Sequence, residues 1–190
     1  MAKLTLNRAK ELLQKHVSEA HLFTHALAVS AAMGAMAAHF GENVEHWQAI
    51  GYLHDVDFEK FPEEHCLHVR ELLDGEGVEE RDIAAILSHG YGLCTNEVEP
   101  TTPLMQSLFT VDELTGIVMA AALMRPTGIS DMEVKSLKKK FKDKGFAAKC
   151  DRAVIQQGCE MLGMPLDEVM AIVIAGMQTQ AEALGIGPKE

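Results

Sequence analysis

Positive charge is scarce in this sequence: Lys and Arg number 17 against 28 Asp and Glu, a formal net charge of −11 over 190 residues. A chain this acidic has no generic attraction for nucleic-acid backbone or anionic lipid, so neither a nucleic-acid polymer nor a membrane is its expected partner. Cysteine is scarce as well. Cys66, Cys94, Cys150 and Cys159 form no C-x-x-C pair, and a chain of this length needs no covalent staples. Reduced thiols in a cytoplasmic protein are therefore expected, rather than a disulfide framework or a zinc knuckle. The first residues hold no apolar run ending in a small-residue cleavage site, and no internal repeat or low-complexity linker divides the chain. What is present, 47% hydrophobic and 24% charged residues, is the composition of an ordinary globular domain, and the length favours a single one over 1–190.

Strand-like alternation is short wherever it occurs, whereas helical spacing recurs throughout, so the expected fold class is all-α. The periodicity predicts helices over about 7–17, 19–40 and 43–55, with Asn43 as N-cap of the third and Gly41 ending the second. A fourth is expected to open at Pro62 and close at 74–77, and a fifth to run over 78–88. An irregular loop follows over 91–103, then an apolar helix over 104–124 stopped by Pro126. A basic helix (131–142) and two more, near 147–161 and 165–183, complete the chain. The uncharged run 20–41 is long enough to mimic a membrane span. Its histidines and abundant alanine argue for a buried core helix instead.

All nine histidines lie between His16 and His89. His16, His39 and His46 fall at helix ends on expected solvent faces. His25 is different, because it interrupts the apolar stripe of Leu22, Val29, Met33 and Met36. An imidazole there loses about 1–3 kcal/mol if its acceptor nitrogen finds no partner. Asp112 shares a helix face with Leu108, Thr115 and Met119, where an unpaired carboxylate must be protonated or paired. His54 and Asp55 end the apolar run Ile50-Gly51-Tyr52-Leu53. Two imidazoles and two carboxylates on separate helices suit a borderline-hard divalent ion: Fe, Mn, Co, Ni or Zn.

The order His25 … His54-Asp55 … Asp112 resembles the H…HD…D signature of HD-domain metal-dependent phosphohydrolases. The likeness spans about 20–125 and includes "LFTHALAVSAAM", "AIGYLHDVDFEKFPEEH" and "LFTVDELTGIV". It implies an HD-type helical bundle with the segment 126–190 as additional helices, and a centre of one ion held by those four residues. It also implies a second ion if two further histidines intervene, with Asp55 bridging. His65 and His89 are those candidates, and His68 competes with His65. The chain departs from the pattern at Val56-Asp57-Phe58-Glu59-Lys60, which is not the I-G-K of the HDIG subgroup. "SHGYGLC" likewise is not the G-Y-P motif of cyclic-di-GMP phosphodiesterases.

The resemblance implies hydrolysis of a phosphoester or phosphoanhydride in a small phosphorylated substrate, a nucleotide above all. Asp57, Lys60 or His68 would then protonate the leaving group beside the metal-bridging Asp55. Between Lys135 and Arg152, eight basic residues face two acids, and Lys135, Lys138, Lys139 and Lys142 align along one helix edge. That edge and Arg125 are the expected phosphate contacts. Two other functions share the same residues: a di-iron oxygenase of the HD type, and a non-catalytic metal-binding adaptor or nucleotide sensor. A monomer and a homodimer both fit the sequence.

Overall fold

The computed structural model describes residues 3–190; Met1 and Ala2, part of the N-terminal stretch read above, lie outside it. Among the described residues there are nine α-helices and no strand, only an isolated bridge between Tyr91 and Thr95. The helices are α1 (Leu6–His16), α2 (Ala20–Phe40), α3 (Val44–Leu53), α4 (Val69–Leu73), α5 (Glu80–Ser88), α6 (Pro103–Leu123), α7 (Val134–Lys142), α8 (Arg152–Leu162) and α9 (Leu166–Gln178).

Two long helices, α2 and α6, form the centre, and the others wrap them. α3, α6 and α9 pack on α2, α5, α7 and α8 pack on α6, and α1 packs on α3. α2 is apolar nearly all round because it is covered nearly all round: Ala28, Val29, Ala32, Met33, Met36 and Ala37 are fully buried. It is long and apolar enough to cross a membrane, but most of it is buried inside the fold. Close approach of α3 to α2 depends on Gly51, where an added Cβ would lie 3.0 Å from Met33 Cγ and 3.1 Å from the Val29 carbonyl oxygen. This contact brings the end of α3, with His54 and Asp55, onto the helix that carries His25.

Side-chain caps start several helices. Asn43 accepts from the His46 amide, Thr102 from the Met105 amide, and Asp151 from the amides of Ala153 and Val154. Several expected helices are shorter than the periodicity predicts: the basic one begins only at Val134 and the last ends at Gln178, and two others lose more. The one opening at Pro62 is a single 3₁₀ turn (Pro62–Glu64), and helix resumes only at Val69. Cys66, at φ 74°, breaks the run between them. The one placed near 147–161 starts at Arg152, because Ala147 sits at φ 45° and the preceding loop is organised otherwise. The Arg152 guanidinium donates to the carbonyls of Phe141 (3.1 Å), Ala147 (2.8 Å), Cys150 (3.1 Å), Asp143 (3.1 Å) and Phe146.

Candidate metal centre

α3 and α5 end in the same way. At the C-cap of α3, His54 Nδ1 lies 2.6 Å from the Gly51 carbonyl oxygen, and at the C-cap of α5, His89 Nδ1 contacts that of Ile86. A carbonyl only accepts, so each Nδ1 carries the proton, satisfies an otherwise orphan helix-end acceptor, and leaves Nε2 a bare lone pair. His65 is set by a carboxylate instead: its Nδ1 donates to Asp57 Oδ1 at 2.8 Å. Asp57 is fully buried, and its Oδ2 accepts from the His68 amide at 3.3 Å. Three imidazoles from three segments thus present Nε2 inward. The negative ends of α3 and α5 face the same space, which favours a cation there.

Around Asp55 these donors form two sets. In the first, His25 Nε2 is 3.0 Å from Asp112 Oδ1, 3.2 Å from His54 Nε2 and 3.4 Å from Asp55 Oδ2. His54 Nε2 is 3.1 Å from Asp112 Oδ1 and 3.3 Å from Asp55 Oδ1. In the second, His65 Nε2 and His89 Nε2 are 3.1 Å apart, at 3.2 and 3.4 Å from Asp55 Oδ1. Bonds of about 2.1 Å to a divalent ion place neighbouring ligands about 3.0 Å apart in an octahedron and about 3.4 Å apart in a tetrahedron. The observed edges fall in that interval. Two imidazole lone pairs meeting at 3.1 Å repel unless a cation lies between them. The residues therefore fit a metal, with Asp55 within reach of both sets.

The charge balance agrees. Burial alone would lower the pKa of His54, but Asp55 and Asp112 outweigh it, and it rises to about 9. At His65, bonds to Asp55 and Asp57 outweigh burial and raise it to about 10. His25 is raised well above the ordinary imidazole range, again against burial, by Asp112 and Asp55. Burial would raise the two carboxylates, yet the His54 charge and the imidazole hydrogen bonds hold Asp55 and Asp112 well below theirs. Without metal, protons occupy the places a metal ion would take.

An open pocket of about 350 Å³ lies over the cluster, lined by His25, Asp55, Phe58, His65, Asp112, Glu113, Gly116 and Cys150. Other residues singled out in the sequence lie elsewhere. Lys60 donates to His16 Nδ1 at 2.9 Å, on the face where Glu59 binds Ser18. His68 stacks on Phe61 at 3.7 Å between Glu64 and Glu71; it neither joins the donors nor lines the pocket. Asp57 positions His65 from inside the core and cannot present a proton to the pocket. Arg125 is thirteen residues beyond Asp112, about 20 Å along α6 at 1.5 Å per residue, and is tied to Asp131 at 2.7 Å. It lines a separate cavity of about 210 Å³ with Lys140. Lys138 pairs with Asp167 at 2.8 Å. Neither it nor Lys135, Lys139 and Lys142 lines the pocket over the cluster. For Arg125, closeness to Asp112 in sequence does not become closeness in space, because most of the intervening residues are helical and carry it away from the cluster. His46 is likewise no idle surface group: its Nε2 lies 2.8 Å from the buried Asp82.

Glu113 is the pocket residue that sequence reasoning left unused. It follows Asp112 directly, and its Oε2 accepts from the Asp151 amide at 2.9 Å. Burial raises its pKa, against the pull of that amide.

Fold and centre together define an all-helical bundle built to hold divalent metal. The HD domain family profile matches residues 22–116, half of the chain, and the protein belongs to the HD domain family. No curated protein and no solved structure gives a match. HD domains bind divalent metals and are in general metal-dependent phosphohydrolases, and the His/Asp cluster here fits that chemistry.

Proposed function

We propose that the protein is a cytoplasmic phosphohydrolase of two divalent ions acting on a small phosphorylated metabolite, a nucleotide above all, as a monomer or homodimer and without a nucleic-acid polymer or membrane as partner. The observation that carries this reading is the sharing of Asp55 between two donor sets with coordination-length edges. His25, His54 and Asp112 would complete one ion's site with it, and His65 and His89 the other's. Ions held there would supply Lewis acidity, lowering the pKa of water towards about 7 and offsetting charge on phosphoryl oxygens.

The chain's own groups do the rest. Among the described residues no Lys or Arg lines the pocket; Asp55 and Asp112 would cancel only half of the charge of two divalent ions, leaving a site that would favour a phosphoryl anion. Asp57 holds the His65 ring through Nδ1, fixing its tautomer. Glu113, its carboxyl kept protonated further up the pH scale by burial, is the group at the rim placed to pass a proton from its free oxygen to the leaving group. Phe58, 37% exposed and perpendicular to the His65 ring, offers a face to a nucleobase.

The test is a screen of nucleotides and other phosphorylated metabolites with Mn, Co, Ni or Fe, performed without oxygen. Inorganic phosphate released anaerobically supports hydrolysis. Iron-loaded protein that consumes dioxygen and releases no phosphate would replace this reading with a di-iron oxygenase. Metal binding without turnover of any compound would point to the adaptor or sensor.

A further inference from the structure

Two thiols that lie 28 residues apart in sequence meet beside the second donor set. Cys94 Sγ is 3.2 Å from Cys66 Sγ, and Cys66 Sγ is 3.9 Å from His89 Nε2. Three local features bring them together. Cys66 occupies the left-handed region, φ 74°, a conformation that is unfavourable for a non-glycine residue and maintained only where surrounding contacts impose it. The amides of Leu93, Cys94 and Thr95 all donate to the Gly90 carbonyl at 3.0–3.2 Å, and Gly92 donates to the Thr95 carbonyl at 2.9 Å. This tight loop folds Cys94 back over Gly90. Gly90 itself leaves the space the sulfurs share: a Cβ there would lie 2.5 Å from Cys94 Sγ and 2.7 Å from Cys66 Sγ. Cys94 is exposed and Cys66 is buried.

We propose that Cys66 and Cys94 are a dithiol oxidisable by a peroxide, and that its closure to a disulfide disables the His65/His89 half of the centre. The second clause rests on the two-ion reading above; the first does not. Cys94, the accessible sulfur, attacks one oxygen of the hydroperoxide; the O–O bond breaks, the other oxygen leaves as water, and Cys94 becomes a sulfenic acid. Cys66 then attacks the Cys94 sulfur, the S–O bond breaks, and the hydroxyl leaves as water with the Cys66 proton. Two thiols and one hydrogen peroxide give one disulfide and two waters, a two-electron oxidation of sulfur. Closing from 3.2 Å to about 2.05 Å moves the residue covalently joined to His65. A metal site holds its donors within about 0.2 Å of their ideal distances, so a shift at His65 would weaken the hold on the second ion.

The experiment treats the reduced, manganese-loaded protein and the metal-free protein with one equivalent of hydrogen peroxide, then maps peptides without reductant and counts manganese per chain. The expected product joins the Cys66 and Cys94 peptides, two hydrogens lighter than their sum. Bound manganese falls from about two to about one per chain and returns with dithiothreitol. Cys66→Ser and Cys94→Ser each abolish the joined peptide, and Cys150→Ser and Cys159→Ser leave it. Over-oxidation of Cys94 with no joined peptide, or a peptide joined to Cys150 or Cys159, overturns the dithiol. A joined peptide with unchanged manganese overturns its coupling to the metal. Reduced protein that never holds a second ion refutes the two-ion reading and the coupling with it, while the joined peptide still decides the dithiol.

Discussion

Asp57 and Glu113 are adjacent in sequence to cluster residues or nearly so, yet they serve different ends, and burial separates them. Asp57 is sealed in the core against His65 Nδ1, so Asp57→Asn, which swaps an acceptor-only carboxylate for an amide, should weaken the second ion by about 10- to 100-fold. Titration with manganese alone measures it, and unchanged affinity for both ions would contradict the role. Glu113 faces the pocket. Glu113→Gln should lower kcat by about 100-fold or more with a poor leaving group, remove the basic limb of the pH profile, and spare substrates whose leaving group needs no proton. An equal loss on both kinds of substrate would make Glu113 structural. At this scale much of the cluster was legible in sequence, because His25 and Asp112 stand out as polar interruptions of apolar stripes. Lys60, His68 and the lysine edge were not: a polar residue on a polar face gives no sign of which partner it meets, and theirs are His16, Phe61 and Asp167.

Helix ends rather than helix faces position the centre. His54 and His89 each occupy a C-cap and spend Nδ1 on the carbonyl three residues back, a relation that periodicity does not reveal. Gly51 sets the depth at which α3 meets α2. Gly51→Ala should cost about 1–3 kcal/mol through its contacts with Met33 and the Val29 carbonyl. It should also lower metal content, since His54 and Asp55 move with α3. Thermal melts with and without manganese check both, and a variant as stable and as fully loaded as the parent would contradict the packing argument. The two long helices were legible to within a residue or so, because their apolar runs and their stops at Gly41 and Pro126 are local, as is the Asn43 cap of α3. Periodicity failed where tertiary demands override propensity. The helix expected from Pro62 is broken so that His65 and Cys66 reach α5, and residues 147–151 are held as loop by Arg152.

For the whole molecule, the centre is a point where protons and metal compete, and pH decides between them. In the metal-free chain His54 and His65 are raised to about 9 and about 10, from an unfolded value of about 6.5. Their contribution to stability is complete below about pH 6.5 and is lost as pH climbs through those values. Asp55 and Asp112 are depressed; their contribution is present above about pH 4 and is lost as pH falls through their low folded values. The loaded chain needs the imidazoles free of protons at Nε2. The gap in Tm between manganese-loaded and metal-free protein should therefore widen from pH 6 to pH 9, and a gap that narrows would contradict the proton-for-metal exchange.

The account depends most directly on how many ions one chain holds and which residues hold them. Elemental analysis of the reduced, manganese-loaded protein should find about two ions per chain, and about one in His65→Ala and in His89→Ala. Asp55→Ala, which removes the shared carboxylate, should reduce both. A parent protein without bound metal, or a ratio unmoved by loss of His65, His89 and Asp55, would contradict it.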